Sequence, residues 1–236
     1  MRLRFWHILL FVLALVAFAV ARAPAAFFLS RAPVTFESAE GTVWNARVQG
    51  LRFAGYEVRR MSWRLSPWDL PMGKAIIAFN FAEGDIVGDA TVLANWHGDR
   101  RIVTPALRLE GAPLGAGRVD GVTTFSNLDV FFDDGRCANA AGQVDTDVLQ
   151  RAGEALGWAG PALSGAATCV GDDAQIALSG QDVEARVLLR GDGRGEWRVA
   201  ARAAGEQAEP ALAAAGFVQD GAGAYVATEE FTWLPF

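Results

Sequence analysis

The sequence predicts a mainly β protein, with an N-terminal single transmembrane helix followed by a mostly antiparallel β-sheet domain that carries two short helices. Three observations lead there. The chain opens on a long apolar run; most of the remainder consists of short stretches in which apolar and polar residues alternate between glycine-bearing turns; and only two later stretches switch to helical spacing.

Residues 5–21, FWHILLFVLALVAFAVA, are apolar except for His7, with Arg2 and Arg4 before them and Arg22 after. Such a run is at the short end of what crosses a hydrocarbon core of about 30 Å as a helix. The leading arginines favour a cytoplasmic N-terminus. The expected division is a cytoplasmic tail at 1–4, an anchor at 5–21, a linker at 22–34 and a periplasmic β-domain over 35–236, held at a bacterial inner membrane. A cleaved signal peptide has the same charge and apolar core, and Ala21-Arg22-Ala23 has the form of a cleavage site. Pro24, directly after it, argues for retention, because its fixed φ and missing N–H hinder protease binding. His7 reads as an interfacial polar residue, since no intramembrane acid accompanies it.

Composition excludes several function classes. Of the 236 residues, 52% are hydrophobic and 20% charged, enough to bury a substantial core and too apolar for general disorder. The formal net charge is −6, and the 21 basic residues, of which only Lys74 is a lysine, are scattered through strand-like runs. That is no footprint for nucleic acid. The two cysteines, Cys137 and Cys169, are too far apart for C-x-x-C redox or zinc patterns. In an oxidising periplasm they are expected to pair, and closing a loop of about 33 residues stabilises a fold by roughly 3 to 4 kcal/mol in the chain-entropy model.

Strand signals follow in order. VTFESA, TVWNARVQGLRFAG and YEVRRMSWRL alternate; Trp63 and Leu65 share a strand face, and Ser66-Pro67 breaks that strand before a short turn or helical segment, PWDLPMG. KAIIAFNFAEG, DIVGDATVLANW, IVTPALRLEG and VDGVTTFSNLDVFFDDG continue the pattern, so the short connections imply an antiparallel meander. APLGAGRVDG, 112–121, is a candidate boundary between two β-lobes. From Val144 to Leu156 the apolar spacing becomes helical, with Asp145 or Thr146 as a cap and Gly160-Pro161 as the stop. Further strands are expected at ALSGAATCV, AQIALSG, VEARVLLRG and GEWRVAARA, a second helix at AEPALAAAGFV, and a last strand at AYVATEEFTWL.

Little in the chain points to catalysis. The carboxylates at Asp133 and Asp134, at Asp145 and Asp147, and at Asp172 and Asp173 lack the spacing of a calcium loop and suit caps and turns. His97, in NWHGDR, has no second His or Cys at ligand spacing, which leaves metal and catalytic sites at none. GDGRGE, 191–196, joins two strands rather than opening a helix, so it reads as a hairpin turn and not a phosphate loop. No cofactor is expected. Trp44, Trp63, Trp68 and Trp96 are expected to fill a β-core, with the lining of a groove as the rival reading.

EGTVWNARV at 40–48, VRRMSWRLSPWDL at 58–70, the cysteine framework ending in GPALSGAATC at 169, and the ALAAAGF…GAYV ending together resemble the type II secretion system protein N family, over almost the entire chain. The strongest motif is Gly41-Thr42-Val43-Trp44-Asn45 followed by Trp63-x-Leu65-x-Pro67, although Ala46 stands where the family more often has Gly. The resemblance implies a non-catalytic inner-membrane component of the machine that exports folded proteins across the outer membrane, with other inner-membrane subunits of that machine as partners. The Trp-x-Leu-x-Pro pattern also resembles AsmA-type envelope proteins, whose sheets form long apolar grooves. That likeness gives the alternative, a periplasmic lipid-binding or lipid-transfer module with a lipid ligand. On residues alone, Gly41 is expected to let the chain turn into a strand that Thr42, Val43 and Trp44 begin, its register pinned against MSWRL.

Overall fold

The computed structural model describes residues 18–19, 22–114, 117–156, 160–202, 209, 212–213, 216–220 and 223–232. One antiparallel sheet dominates them. Its first strands are β1 Ser38–Thr42, β2 Asn45–Phe53, β3 Tyr56–Leu65, β4 Lys74–Gly84, β5 Ile86–Asn95, β6 Arg100–Leu114 and β7 Gly117–Asp133. It continues with β8 Arg136–Thr146, β9 Leu163–Val170, β10 Asp173–Gly180, β11 Val183–Leu189, β12 Arg194–Arg202, β13 Val218–Gln219 and β14 Ala224–Thr232. Chain neighbours pair from β1 to β12; β14 then adds to β12 and β13 lies outermost. The candidate lobe boundary at 112–121 falls within the arms of the β6–β7 hairpin, across which the strand order is continuous.

The alternation read in the sequence builds this sheet. In β2, Ala46, Val48 and Leu51 are buried while Arg47, Gln49 and Arg52 are exposed. Register carries the apolar face onward: Val48 lies opposite Met61, Met61 opposite Phe81, Trp63 opposite Phe79, Ile102 opposite Val130 and Ile176 opposite Val187. Paired residues share a face because the strand period is two. The opposite face carries Arg64, Asn80, Asp89, Arg101 and Asp129, some of them joined in ion pairs such as Arg101 to Asp129 at 2.7 Å.

An apolar face this wide needs cover, and the sheet supplies much of it by curling. Val130 and Phe132 are 1% and 0% exposed in a cluster made only of strand residues from β7 to β11. Contacts between strands far apart in the sheet order mark the curl. Arg118 of β7 donates to the Gly55 carbonyl in the β2–β3 turn at 3.3 Å. Arg100 of β6 donates to the Gly191 carbonyl in the β11–β12 turn at 2.5 Å. Gly191 sits so close to the β7–β8 turn that a Cβ there would lie 2.1 Å from the Gly135 carbonyl oxygen.

Helical segments and loops cover the two ends of the face. Helix α1, Ala25–Leu29, and the chain after it bring Leu29, Val34 and Phe36 onto the cluster of Val48, Leu51, Val58, Met61 and Ile86. This helix lies inside the expected linker, where Pro24 at its N-cap, φ −68, precedes the run AAFFL. Helix α2, Val148–Leu156, is the first of the two expected helices. It starts later than its apolar spacing suggested, because Val144 belongs to β8 and the strand runs on to Thr146. The Thr146 hydroxyl then accepts the Val148 N–H at 3.4 Å, as one of the two expected caps. The second expected helix, 208–218, lies largely outside the described residues; Leu212 and Phe217 are buried against Val183, Ala201 and Tyr225. PWDLPMG is a turn ending in a single 3-10 turn, Leu70–Met72.

Of the anchor expected at 5–21 all but residues 18–19 lies outside the described residues, and among those described no helix is long and apolar enough to cross a membrane.

Candidate functional site

The Gly41–Asn45 segment is a hairpin and not the beginning of a long strand. Thr42 pairs with Asn45, so Val43 and Trp44 form the two-residue turn between β1 and β2. Gly41 has φ 94, and a Cβ there would lie 2.3 Å from the Asn45 carbonyl oxygen, so the position requires glycine. Val43 and Trp44 are strong strand formers, yet tertiary hydrogen bonds hold them in the turn. The Trp63 indole N–H donates to the Val43 carbonyl at 2.9 Å, and the Leu65 N–H donates to the Trp44 carbonyl at 2.8 Å. The Val43 N–H donates to the Ala23 carbonyl at 3.0 Å, and Pro24 bridges to Thr42. The motif thus gathers the chain entering from the N-terminus, the first hairpin and β3, while Ala46, opposite Trp63, is buried in β2. Trp63→Phe deletes one half-buried donor; the thermal midpoint is expected to fall by the equivalent of about 1 kcal/mol, read by calorimetry.

The four tryptophans of the N-terminal half divide. Trp63 packs on the cluster around Met61, and Trp44 is half-buried. Trp68 and Trp96 are 83% and 82% exposed, which corrects the expectation that all four fill the core. Local chain geometry turns them out. Pro67 stands between β3 and the Trp68 turn, and Trp96 heads the β5–β6 turn, in which the Asn95 side-chain carbonyl accepts the His97 and Asp99 N–H groups, both at 2.9 Å.

The remaining sequence candidates sit in turns and caps. Asp133 ends β7, and Asp134 occupies the β7–β8 turn with φ 48. Asp172 lies in the β9–β10 turn and Asp173 opens β10. Asp145 is a strand residue, whereas Asp147 accepts the Val122 N–H at 2.5 Å and fixes the start of α2 on β7. GDGRGE is the expected hairpin turn, closed by the Arg194 N–H on the Asp192 carboxylate at 3.0 Å. Cys137 and Cys169 form the expected disulfide.

At the opposite end of the sheet, Asp85 joins three elements. Its carboxylate accepts from Arg118 at 2.7 Å and from the Glu57 N–H at 2.7 Å, and Arg118 also donates to the Glu110 carbonyl at 2.6 Å. The Arg118 hydrogen bond, against a smaller opposing effect of burial, holds the Asp85 carboxyl below its ordinary value of 3.8. A lowered folded-state value means that the stabilisation is present above the unfolded value and is lost as pH falls through the folded one. Because the pair is partly solvated, its worth is at most about 1 kcal/mol. Asp85→Asn is expected to lower the thermal midpoint slightly at neutral pH, with the gap from wild type closing as the pH is taken below 3.8. Beside this cluster a cleft of about 580 Å³ opens between Pro33, Val34, Phe53 and Tyr56, with Arg118 at its edge.

Further along the apolar face, Ile77, Phe79, Val92, Ile102 and Leu107 are only half-buried. The class defined by these features is a β-scaffold with a broad apolar face, an open strand edge at β14 and a tethered first hairpin. Residues 32–228 match the family model of the type II secretion system protein N, and the chain belongs to that family, a component of the secretion apparatus. No curated protein and no solved structure matches it.

Proposed function

We propose that the chain is a non-catalytic inner-membrane component of a type II secretion system, anchored by residues 5–21, with the tail 1–4 in the cytoplasm, a linker at 22–34 and the domain 35–236 in the periplasm. It acts through contacts with other inner-membrane subunits. The observation that carries this reading is the family match over residues 32–228. The outer edge of β14 from Ala227 to Thr232 supports the mode of contact, because among the described residues no strand lies against it. A free edge accepts a partner's strand through main-chain hydrogen bonds.

Deleting the chain in its host is expected to remove a defined set of enzymes from the medium and trap them in the periplasm, measured by comparing both proteomes with those of the parent and a complemented strain. Unchanged secretion would reject the proposal. The half-buried row Ile77, Phe79, Val92, Ile102 and Leu107 favours a second reading, lipid binding or transfer of AsmA-like type along the apolar face. Unchanged secretion together with stoichiometric lipid in the purified protein would select it.

A further inference from the structure

The turns at one end of the sheet are unequal. The end reached by the entering chain, where Ala23 and Pro24 bond to Val43 and Thr42, also holds the β3–β4 and β5–β6 connections. Those two connections expose Trp68 at 83%, Met72 at 66% and Trp96 at 82%. They touch each other: the Trp96 N–H donates to the Gly73 carbonyl at 3.1 Å, and the Trp96 ring lies 3.4 Å from where a Gly73 Cβ would stand. Lys74 begins β4 beside them, exposed. The turns of the same end further along the sheet differ in kind. They carry charged side chains of both signs, such as Asp133, Asp134, Arg136 and Arg194, and among the described residues no exposed aromatic side chain.

We infer that Trp68, Met72 and Trp96 form a docking rim for the outer surface of the phospholipid bilayer in which the N-terminal segment is anchored. The inference rests on the anchor proposed above. Continuity supports this occupant, since the rim adjoins the hairpin that receives the chain directly after the apolar run 5–21. Chemistry supports it too, because tryptophan combines a large apolar ring with an N–H donor and collects at the headgroup level of membranes, and a lysine beside it is drawn to anionic headgroups. Among the described residues the turns of the far half offer no exposed aromatic ring to the headgroups, so the domain leans on its β3–β6 corner. Docking of this kind fixes which way the apolar face and the β14 edge point in the periplasm.

The test uses the full chain reconstituted in phosphatidylethanolamine–phosphatidylglycerol vesicles, with and without lipids brominated near the headgroup. Subtracting the emission of the Trp68→Phe/Trp96→Phe chain from that of wild type isolates the two rings. The difference emission is expected to lose most of its intensity to the brominated lipids, to resist acrylamide and to lie blue of the emission of water-exposed tryptophan. A chain that floats with the vesicles while its difference emission is quenched by acrylamide and untouched by bromine overturns the docking and leaves the anchor standing. A chain that does not float overturns both. Because both rings are exposed, the double variant is expected to fold and float as wild type does.

Discussion

Phe132→Ala is expected to be among the most damaging single substitutions in the domain, lowering stability by roughly 3 to 5 kcal/mol. Phe132 is 0% exposed, one residue before the end of β7, with Val130 on the same face at 1%. Among the described residues no helix covers this part of the sheet; the cluster consists of residues from β7, β8, β9 and β10, with Val187 and Leu189 of β11 against it. The ring therefore fills the interior of the curl, and its removal leaves a cavity that can close only if the curl changes. Such a change would disturb the bond from Arg100 to Gly191 and the close approach of Gly191 to Gly135, both at the adjacent end. Collapse is thus resisted, and sites that relax poorly have the larger cavity cost. In calorimetry the midpoint is expected to drop by roughly 10 °C or more for a domain of this size. A drop of only one or two degrees would mean that Phe132 is not packed as described. Val170→Ala, on an exposed β9 position, serves as the control and is expected to be nearly silent.

How much of this was readable beforehand depends on which interactions fix each feature. Strand existence and facing were legible, because alternation such as Ala46-Arg47-Val48 is a local consequence of one buried face. The disulfide was legible from the cysteine count and the oxidising compartment that the sequence leads one to expect. The end of β8 was not, because Val144 and Val148 fit both a strand-then-helix and a continuous helical stripe, and only the pairing of Val144 with Phe125 decides between them. Nor was the hairpin at Val43-Trp44. Its residues favour a strand, and the bonds that make a turn of them come from Trp63, Leu65 and Ala23, twenty residues away in either direction. The exposure of Trp68 and Trp96 was hidden for a related reason. Composition says that tryptophan is usually buried, whereas Pro67 and the Asn95 side chain act on the backbone and set the rings outside. The curl, which makes one sheet serve as its own core, has no signature in a linear pattern of period two.

Cys137→Ser/Cys169→Ser, or reduction of the wild-type chain, is expected to lower stability by about 3 to 4 kcal/mol and the thermal midpoint by roughly 10 °C. The value follows from a sequence separation of 32, but its location matters as much as its size. β8 and β9 are joined by a ladder only from Gln143–Thr146 to Leu163–Ala166, the shortest in the interior of the sheet. Between Arg136 and Gly142, β8 has no ladder partner on the β9 side. The disulfide, with Cα atoms 5.7 Å apart, closes the far end of this seam, assisted by the Cys137 N–H donating to the Asp172 carbonyl at 2.8 Å. α2 and the 147–162 connection close the other end. The sheet is therefore two ladders joined by a short hydrogen-bonded strip and one covalent bond. Loss of the bond is expected to speed amide hydrogen exchange first at Ala138–Gly142 and Ala167–Val170, with the β2–β5 region protected as before, because a sub-global opening at the weakest seam costs less than unfolding the whole. Uniform acceleration across all fourteen strands would instead mean that the bond stabilises only by restricting the unfolded chain, and that the seam is no weaker than the ladders on either side of it.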